Sequence, residues 1–382
     1  MANRPSSLTV DADAHVLEPP DLWEHYLDPA YRDRAIRVAV DAGGVEVLEV
    51  DGKPLQRSLG QLHKLGGYGI PLDRLESEAG RNYVGSAPAA GMDPAARLRW
   101  MDSQGIDVSI LYPSLALFWE TEVRDAMLAD AYCRAYNRWI LDFCRDSGGR
   151  LVPIAHISLG DIACAVRELE RATANGARGV FVAPHTITRK PHGHPDHDPF
   201  FARAAALGIP VAIHPNLEPK PPMAAVHFDG MRGDIFYFVA TSLFPVQAAF
   251  TTLFQYGTLE KFPSLQVVVL EAGAGWIGAW LDRLDAKFES VGRFDERVNV
   301  PPGELFRRQC FISCDPDERS VPAIVELVGV DRFFWASDYP HSEAKPGTME
   351  DLAELCRRLP ANARGELLGA SAARLYGIGT GA

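Results

Sequence analysis

Aspartate and histidine side chains that could bind a metal ion stand at three separated points of this sequence. Asp13 and His15 lie two residues apart near the start, His214 lies in the run IHPN, and Asp338 lies in SDYPH. Imidazole nitrogens and carboxylate oxygens suit zinc or manganese and leave a coordination position open for water or substrate. Buried aspartates are costly unless a cation or hydrogen-bond donors lie nearby. We therefore expect one divalent metal ion held by Asp13, His15, His214 and Asp338.

Each of these candidate ligands lies at the end of a short apolar run. The elements that these runs form must therefore position the ligands. Eight of them alternate with amphipathic stretches such as DIACAVRELERATANG, which is typical of repeated βα units around a parallel sheet. We predict a (β/α)8 TIM barrel in one domain, residues 1–382, with the ligands at its catalytic C-terminal face. The period of two in strand one should turn Asp11, Asp13 and His15 to one side of the sheet. The runs are LTVDADAH near residue 8, VSILYPS near 108, LVPIAHISL near 151, GVFVAPH near 179, PVAIHPN near 210, VVVLEAG near 267, CFISCD near 310 and FFWASDYPH near 333.

Residues 31–92 interrupt this rhythm with a glycine- and charge-rich stretch between the first and second barrel strands. We predict an insertion here, with a small hairpin in VEVLEVDGKPL that turns at Asp51 and Gly52, a common type I′ pair. Such an insertion either covers an active-site mouth or decorates the surface. A second long connection, residues 217–261, is rich in aromatic residues and predicts either a pocket wall or a subunit interface.

Composition and charge narrow the class of partner. The chain has 382 residues, 47% hydrophobic and 23% charged, as in a globular protein with a sizeable core. Its formal net charge of -12 disfavours nucleic acid and anionic membranes, so we expect a small-molecule partner. No apolar stretch is long enough for a membrane span or a secretory signal, which predicts a cytoplasmic location. The six cysteines form no CxxC pair, and we expect buried thiols rather than disulfides or a cysteine metal site.

Four segments together resemble a known family. DADAHVLEP, IHPN, EKFPSLQVVVLEAGAGW and ASDYPH are similar to motifs of the amidohydrolase superfamily, and more narrowly of its aminocarboxymuconate-semialdehyde-decarboxylase-like branch, amidohydrolase family 2. The resemblance runs over about residues 11–376, apart from the insertion. It implies a homodimer, with the aromatic stretch 235–250 as a plausible interface. It also implies one divalent ion, zinc first and manganese as the alternative, bound by Asp13, His15, His214 and Asp338.

Two positions depart from the family pattern. Glu271 stands in LEAGAG, where many relatives carry a histidine at the end of strand six. A buried glutamate can act as a general base, but it cannot donate a proton as an imidazolium does. Asp13 stands where hydrolytic relatives have a histidine, and it resembles the acid-x-His pattern of nonoxidative decarboxylases. These two departures affect which reaction the site would catalyse. They do not change the predicted metal ligands.

Five further residues are candidates for substrate contacts, proton transfer or support of the site. His185 and His341 should face the mouth of the barrel, where each either binds a substrate carboxylate, moves protons or makes a structural hydrogen bond. Arg232 and Trp276 could clamp an anionic or aromatic substrate. Glu18 follows the first motif and could hydrogen-bond the site from behind the ligands.

Other histidines are expected to be structural. His156 lies near the end of strand three and is assigned to the core. His192, His194 and His197 lie in RKPHGHPDHDP, and proline- and glycine-rich loops rarely preorganise metal ligands. We therefore expect these three in a solvated loop.

The resemblance and the acid-x-His motif favour nonoxidative decarboxylation of a small aromatic or unsaturated carboxylic acid. In this hypothesis Asp338 shuttles a proton to the substrate carbon, assisted by Glu271 or His341. The alternative is hydrolysis of a lactone, ester or amide, with Asp338 removing a proton from the attacking water. A third hypothesis, suggested by the missing histidine, is a ligand-binding barrel without catalysis. The same four ligands serve the first two, so both stay open on sequence alone.

Overall fold

Eight parallel β-strands form the central sheet of the computed structural model, which describes residues 8–55, 58, 60–77, 82–216, 243–292 and 298–379. Each strand overlaps one of the eight predicted runs, and they pair in chain order. At the two ends of this order, the Asp338 amide donates to the Asp13 carbonyl and the His15 amide to the Tyr339 carbonyl. The sheet is a nearly closed (β/α)8 TIM barrel, as predicted. The strands are β1 (Val10–His15), β2 (Val108–Tyr112), β3 (Leu151–His156), β4 (Gly179–Val182), β5 (Val211–Ile213), β6 (Val267–Val269), β7 (Cys310–Cys314) and β8 (Phe333–Trp335).

A helix follows each barrel strand and packs outside it. Aspartates cap the first three: Asp93, Asp125 and Asp161 accept hydrogen bonds from amides in the first turns. In the described part of the chain, no helix is both long and apolar enough to cross a membrane. The outer helices are α1 (Pro94–Gln104), α2 (Ala126–Cys144), α3 (Ile162–Ala174), α4 (Asp198–Leu207), α5 (Phe244–Gln255), α6 (Ile277–Val291), α7 (Val321–Val328) and α8 (Thr348–Arg358), with further helices at Leu22–Tyr26, Leu72–Leu75, Tyr83–Ser86, Ala89–Met92, Ala116–Trp119, Thr258–Lys261, Pro302–Gln309, Ala361–Gly365 and Ser371–Tyr376.

Apolar side chains fill the barrel below the predicted ligands. All residues of the eight strands are buried, as expected for a parallel sheet covered on both faces. Alternate residues point inwards and form one cluster, so the interior is a packed core rather than a channel. This leaves the C-terminal ends of the strands as the place for chemistry. The inward residues include Val10, Ala12, Ile110, Ile154, Phe181, Ala212, Val268, Phe311 and Phe334.

β1 contains a break that changes which of its acidic residues face inwards. The register of its pairing with β2 shifts between Asp11 and Ala14. The Asp11 carboxylate accepts hydrogen bonds from the amide and the hydroxyl of Ser337 at 3.0 and 2.6 Å, while its apolar neighbours pack in the barrel interior. The prediction that Asp11 shares a side with Asp13 and His15 was wrong, because the irregularity resets the alternation of side chains.

The 31–92 segment contains the predicted hairpin. Strands Glu46–Val50 and Lys53–Pro54 pair antiparallel, and Arg37–Val40 adds a third strand on the other side. The turn lies at Asp51 and Gly52, whose φ angles of 53 and 70° are both positive, as a type I′ turn requires. The sequence pattern therefore predicted this local structure correctly.

The same segment packs against the loop that follows β8. The Tyr68 amide donates to the Pro340 carbonyl at 3.0 Å, and the Ser342 amide donates to the Lys64 carbonyl at 2.9 Å. A Cβ on Gly67 would lie 2.8 Å from Cβ of Ser342, so the two backbones meet too closely for a side chain there. The insertion thus contacts the mouth of the barrel beside Asp338.

All six cysteines lie in the described part of the chain, and all are buried free thiols. Burial raises the pKa of Cys133 and of Cys314 well above the ordinary value of a thiol. Because the thiolate is the reactive form, burial disfavours reaction at these two groups.

We predict that Ser337→Ala lowers the free energy of unfolding by about 1–3 kcal/mol, because it leaves the buried Asp11 carboxylate short of a donor. Ser337 also accepts a hydrogen bond from the Tyr339 amide at 3.0 Å, and the substitution removes this acceptor. Urea unfolding in the presence of a chelator measures the change without a metal contribution. The exposed Ser290 is the matched control, and Ser290→Ala should change the value by less than about 0.5 kcal/mol. Equal effects of the two substitutions would contradict the prediction.

Candidate metal centre

β1 supplies two of the predicted ligands, and a backbone carbonyl orients one of them. Nδ1 of His15 lies 2.7 Å from the carbonyl oxygen of Pro113, which can only accept a hydrogen bond. Nδ1 therefore carries the proton, and Nε2 lies 3.8 Å from Oδ1 of Asp13. Both side chains are buried. A histidine held in this way presents the lone pair of Nε2, which is the form that binds a metal.

His214, directly after β5, is held in the same manner. Its Nδ1 donates to the carbonyl of Pro215 at 2.8 Å, and its Nε2 lies 3.8 Å from Oδ1 of Asp13. Oε2 of Glu271 lies 3.0 Å from the same nitrogen. The rings of His15 and His214 meet edge to face with centroids 5.1 Å apart. The Asp13 carboxylate thus lies within 4 Å of Nε2 of both imidazoles.

The loop after β8 brings in Asp338 and His341. Oδ1 of Asp338 lies 3.3 Å from Nε2 of His15 and 2.8 Å from Nδ1 of His341. The His341 ring stacks on His15 with centroids 4.1 Å apart, and its Nε2 lies 2.8 Å from the Ser114 hydroxyl. Asp338 has a φ of 56°, a backbone conformation that non-glycine residues rarely adopt and that often marks functional sites.

The donor atoms fit a divalent cation. They form two overlapping groups, Asp13 with His15 and His214, and Asp338 with His15 and His341, in each of which the donor atoms lie within 4.8 Å of one another. A buried polar atom without a hydrogen bond costs about 1–3 kcal/mol, and a cation would satisfy several at once. His15 belongs to both groups, so the predicted ligands gather around it. The buried atoms without a well-aligned hydrogen bond include Oδ1 of Asp13, Nε2 of His15, Nε2 of His214 and Oδ1 of Asp338, the last three of which have ion-pair contacts instead.

Burial and charge shift the pKa values of these groups. Burial, helped by the neighbouring imidazoles, lowers the pKa of His15 well below its ordinary value, so His15 is neutral. Burial raises the pKa of Asp13 and of Asp338 well above the ordinary range. Burial alone would lower the pKa of His214, but Asp13 and Glu271 outweigh it and raise the pKa to about 9. Burial therefore disfavours the charged form of both carboxyl groups, and a bound cation would stabilise that form.

Glu18 supports the centre through a neighbouring loop. Its carboxylate, fully buried, accepts hydrogen bonds from the amides of Ser114, Leu115 and Ala116 at 3.1, 2.8 and 3.2 Å. Ser114 in turn contacts His341. Glu18 therefore acts behind the ligands, and the sequence offered only its closeness to the first motif as a signal.

Arg97 links the two ligand segments and was missed by the sequence analysis. This fully buried guanidinium donates to the carbonyl of His15 and, at 2.7 Å, to the carbonyl of Ala90 in the insertion. It also lies over the Tyr339 ring, 4.7 Å from the ring centroid. An arginine in the helix PAARLRWMDSQ is ordinarily exposed, so local sequence carries no signal for this role.

A cavity of about 330 Å³ opens beside Asp338 and Glu271, at the C-terminal ends of β6, β7 and β8. Glu271 has a φ of 43°, and its amide donates to the Ser313 hydroxyl at 3.2 Å. Lys345 is the one cationic side chain among the described lining residues, and it pairs with two of the acids. The cavity is therefore acidic. Its other acidic lining residues are Asp315, Asp317, Glu343 and Asp351.

The predicted substrate-binding residues fall in different places. His185 is half-buried and interacts with Glu120, and it belongs to neither of the two donor groups. Trp276 donates from its indole nitrogen to the Gly273 carbonyl at 2.8 Å. Arg232 and residues 235–242 of the proposed interface lie outside the described residues. These assignments stay predictions.

The histidine-rich loop after β4 differs from its expected solvated state. His192 and His197 are buried, and their ring nitrogens lie 2.8 and 3.0 Å from the carbonyls of Ala183 and His192. Only His194 of the three is half-exposed. The expectation of a solvated loop was wrong, because backbone carbonyls satisfy the two buried rings. None of the three belongs to a donor group of the described residues.

Comparison with known proteins identifies the family. The family model described as Amidohydrolase matches residues 10–378. The chain belongs to the amidohydrolase family. The match covers nearly all of the described chain, including β1 to β8 and every predicted ligand. The protein is thus an enzyme of this family, as the resemblance implied.

Solved structures show that this amidohydrolase shares its fold across nearly full length. An amidohydrolase from Mycobacterium avium subsp. paratuberculosis K-10 is 20% identical with a TM-score of 0.80, covering 97% of this chain and 99% of its own. The 5-carboxyvanillate decarboxylase from Sphingomonas paucimobilis is 22% identical with a TM-score of 0.67, covering 98% and 100%. A dihydroxybenzoic acid decarboxylase from Polaromonas sp. JS666, with bound manganese and the inhibitor 2-nitroresorcinol, is 16% identical with a TM-score of 0.65, covering 97% of each chain.

We predict that the amidohydrolase binds about one divalent ion per chain and that His214→Ala and Asp338→Ala weaken this binding more than about 10-fold. Each substitution removes a buried donor atom from the centre. Calorimetric titration of chelator-treated protein with manganese and with zinc measures the affinity.

His194→Ala is the matched control, since this half-exposed histidine lies outside both donor groups. The His194→Ala variant should bind manganese and zinc with the same affinity as the unsubstituted protein. If the unsubstituted protein binds neither ion, or if the two ligand variants bind as well as the control, the four-residue site is wrong.

Proposed function

We propose that this amidohydrolase catalyses the nonoxidative decarboxylation of a small aromatic carboxylic acid. The observation that carries the proposal is the position of Asp338. Its carboxylate lies at the edge of the cavity, 3.3 Å from His15 and 2.8 Å from His341. A proton on this group can reach a substrate in the cavity, and His341 stands next to it.

The solved structures support the choice of substrate class. Two of those described above are decarboxylases of aromatic acids, and a 2,6-dihydroxybenzoate decarboxylase bound to its substrate has the same fold with a TM-score of 0.67. The acid-x-His motif of β1, which resembles that of nonoxidative decarboxylases, is a second point in favour. Together they favour carbon–carbon bond cleavage over hydrolysis.

Asp13, His15, His214 and Asp338 would hold the divalent ion. We propose manganese or zinc, since two carboxylates and two imidazoles suit either ion. When bound, the ion would supply a positive charge that attracts an anionic substrate and stabilises charge developed on it. Among the described residues that line the acidic cavity, Lys345 is the one cationic side chain, and it is already paired with Asp317 and Asp351. None of these residues can therefore supply the positive charge in place of the ion.

The chain's own groups then move one proton. Protonated Asp338 donates its proton to the ring carbon that bears the carboxylate. The bond from that carbon to the carboxylate breaks, its electron pair restores the aromatic ring, and carbon dioxide leaves. The Asp338 carboxylate regains a proton from solvent, and His341, in contact with both Asp338 and Ser114, provides a path for it. Glu271 faces the same cavity and keeps His214 oriented.

We predict that the manganese-loaded enzyme releases carbon dioxide from at least one member of a panel of hydroxybenzoates, and that Asp338→Asn reduces kcat at least about 100-fold. The amide preserves the shape of the side chain but cannot carry the proton. Asp317→Asn is the matched control, because Asp317 is an exposed acid of the same cavity that lies outside both donor groups. It should retain activity within about twofold.

Lactones and esters in the same panel test the hydrolytic alternative. Release of acid from a lactone, without carbon dioxide from any hydroxybenzoate, would overturn the proposal in favour of hydrolysis. No turnover of any compound by manganese- or zinc-loaded enzyme would favour a barrel without catalysis.

A further inference from the structure

Glu271 contacts a predicted metal ligand, although it belongs to neither donor group of the described residues. Its Oε2 lies 3.0 Å from Nε2 of His214. The His214 side chain is fully buried, and its Nδ1 already donates to the carbonyl of Pro215. The mechanism proposed above uses this contact only to orient His214. The geometry of the contact indicates a further role.

The two contacting atoms are close together but do not form a well-aligned hydrogen bond. Nε2 of His214 has no aligned partner among the described residues, although Oε2 of Glu271 lies only 3.0 Å away. A second buried histidine shows the usual arrangement, because Nε2 of His156 is hydrogen-bonded to Oε2 of Glu120 at 2.7 Å. A hydrogen on Nε2 of His214 would not point at the Glu271 oxygen. A hydrogen bond therefore does not explain why these two groups meet.

The same kind of contact occurs within the two donor groups. Oδ1 of Asp338 lies 3.3 Å from Nε2 of His15, and neither atom has a well-aligned hydrogen bond. Donor atoms that bind one ion at about 2.1 Å lie roughly 3–4 Å from one another. Nε2 of His214 lies 3.0 Å from Glu271 and 3.8 Å from Asp13, and both distances fall in this range. Glu271 therefore meets His214 as a second ligand of the same ion would.

The backbone around Glu271 is held in a conformation that aims its carboxylate at the centre. Glu271 has a φ of 43°, and the predicted ligand Asp338 has a φ of 56°. Such conformations cost about 1–3 kcal/mol and persist at functional sites where surrounding contacts impose them. The Glu271 amide donates to the Ser313 hydroxyl at 3.2 Å, and the Glu318 carboxylate accepts the amide of Ala274 at 2.9 Å in the loop that follows. The position of the carboxylate is thus fixed from both sides.

The cavity offers Glu271 no other partner of opposite charge. Its carboxylate is 29% exposed and lines the acidic cavity, where Lys345 is the one cationic side chain among the described lining residues. Lys345 is already paired with Asp317 and Asp351. A half-buried carboxylate is costly without a cation or hydrogen-bond donors nearby. One ion bound to Glu271 and His214 together would remove this cost.

We propose that Glu271 is a fifth protein ligand of the divalent ion, beside the four predicted ones. This inference rests on the predicted metal centre and does not depend on which reaction the centre catalyses. At the position where many relatives carry a histidine, this chain then has a ligand of a different class. Carboxylate oxygens suit manganese, whereas imidazoles suit zinc. Glu271 therefore changes the relative affinity of the centre for the two ions.

Calorimetric titration of the chelator-treated full chain with manganese and with zinc tests the fifth ligand. We expect Glu271→Gln to weaken manganese binding at least about 10-fold, because the amide keeps the shape of the side chain but loses its charge. Glu343→Gln is the matched control, since Glu343 is an exposed glutamate of the same cavity that lies outside both donor groups. It removes the same charge without removing a ligand, and the affinity should change by less than about twofold.

Glu271→His distinguishes a ligand from a side chain that only orients His214. If position 271 binds the ion, the new imidazole should raise the ratio of zinc affinity to manganese affinity at least about fivefold. An unchanged ratio would contradict the proposal. Urea unfolding in the presence of a chelator shows whether each variant is folded. Should Glu271→His not fold, the comparison of Glu271→Gln with Glu343→Gln decides.

The outcomes separate the fifth ligand from the rest of the centre. If the unsubstituted protein binds neither ion, the four-residue site is wrong and the fifth ligand is wrong with it. If it binds an ion and Glu271→Gln changes the affinity no more than Glu343→Gln does, Glu271 is not a ligand, while the four-residue site and the proposed function stand. A loss confined to Glu271→Gln, with a changed ratio in Glu271→His, supports the proposal.

Discussion

Two backbone hydrogen bonds between the end of β1 and the loop after β8 hold the candidate metal centre together. The Asp338 amide bonds to Asp13, and the His15 amide bonds to Tyr339, so the residues that close the barrel are themselves the ligands or their neighbours. A shift of either segment would separate Asp338 from His15. The hydrogen bonds that close the barrel therefore also hold the predicted ligands in place. They offset the conformational free energy that the positive φ of Asp338 costs.

Several buried charges serve this junction without touching substrate. Arg97 bonds to the carbonyl of His15 and lies over Tyr339, while Glu18 holds the loop that carries Ser114. Buried ionic groups add little net stability on average, but removing one partner leaves an uncompensated charge. These residues hold the two ligand segments in position relative to each other. The 31–92 insertion belongs to the same system, because its backbone bonds directly to the loop after β8.

Electrostatics couples the metal to the substrate. Asp13, Asp338 and Glu271 place carboxyl groups around the histidines, and the cavity beside them carries four further acids. An anionic substrate meets a repulsive field there unless a divalent cation is bound first. The charge of a bound cation also explains how the site can hold Glu271 at a position where many relatives carry a histidine. A carboxylate strengthens the attraction for the ion, although it changes which group can donate a proton.

The sequence by itself determined the elements and the types of ligand. Continuous apolar runs located all eight strands, Asp51 and Gly52 located the hairpin, and the polar residues ending β1, β5 and β8 predicted the metal site, because these signals are local. Only the tertiary structure decided the contacts between distant segments. The register shift in β1 removed Asp11 from the site, carbonyls buried His192 and His197, and strand pairing brought His156 to Glu120. Spacing along the chain carries no record of such contacts, because they depend on the stagger of strands and the path of loops.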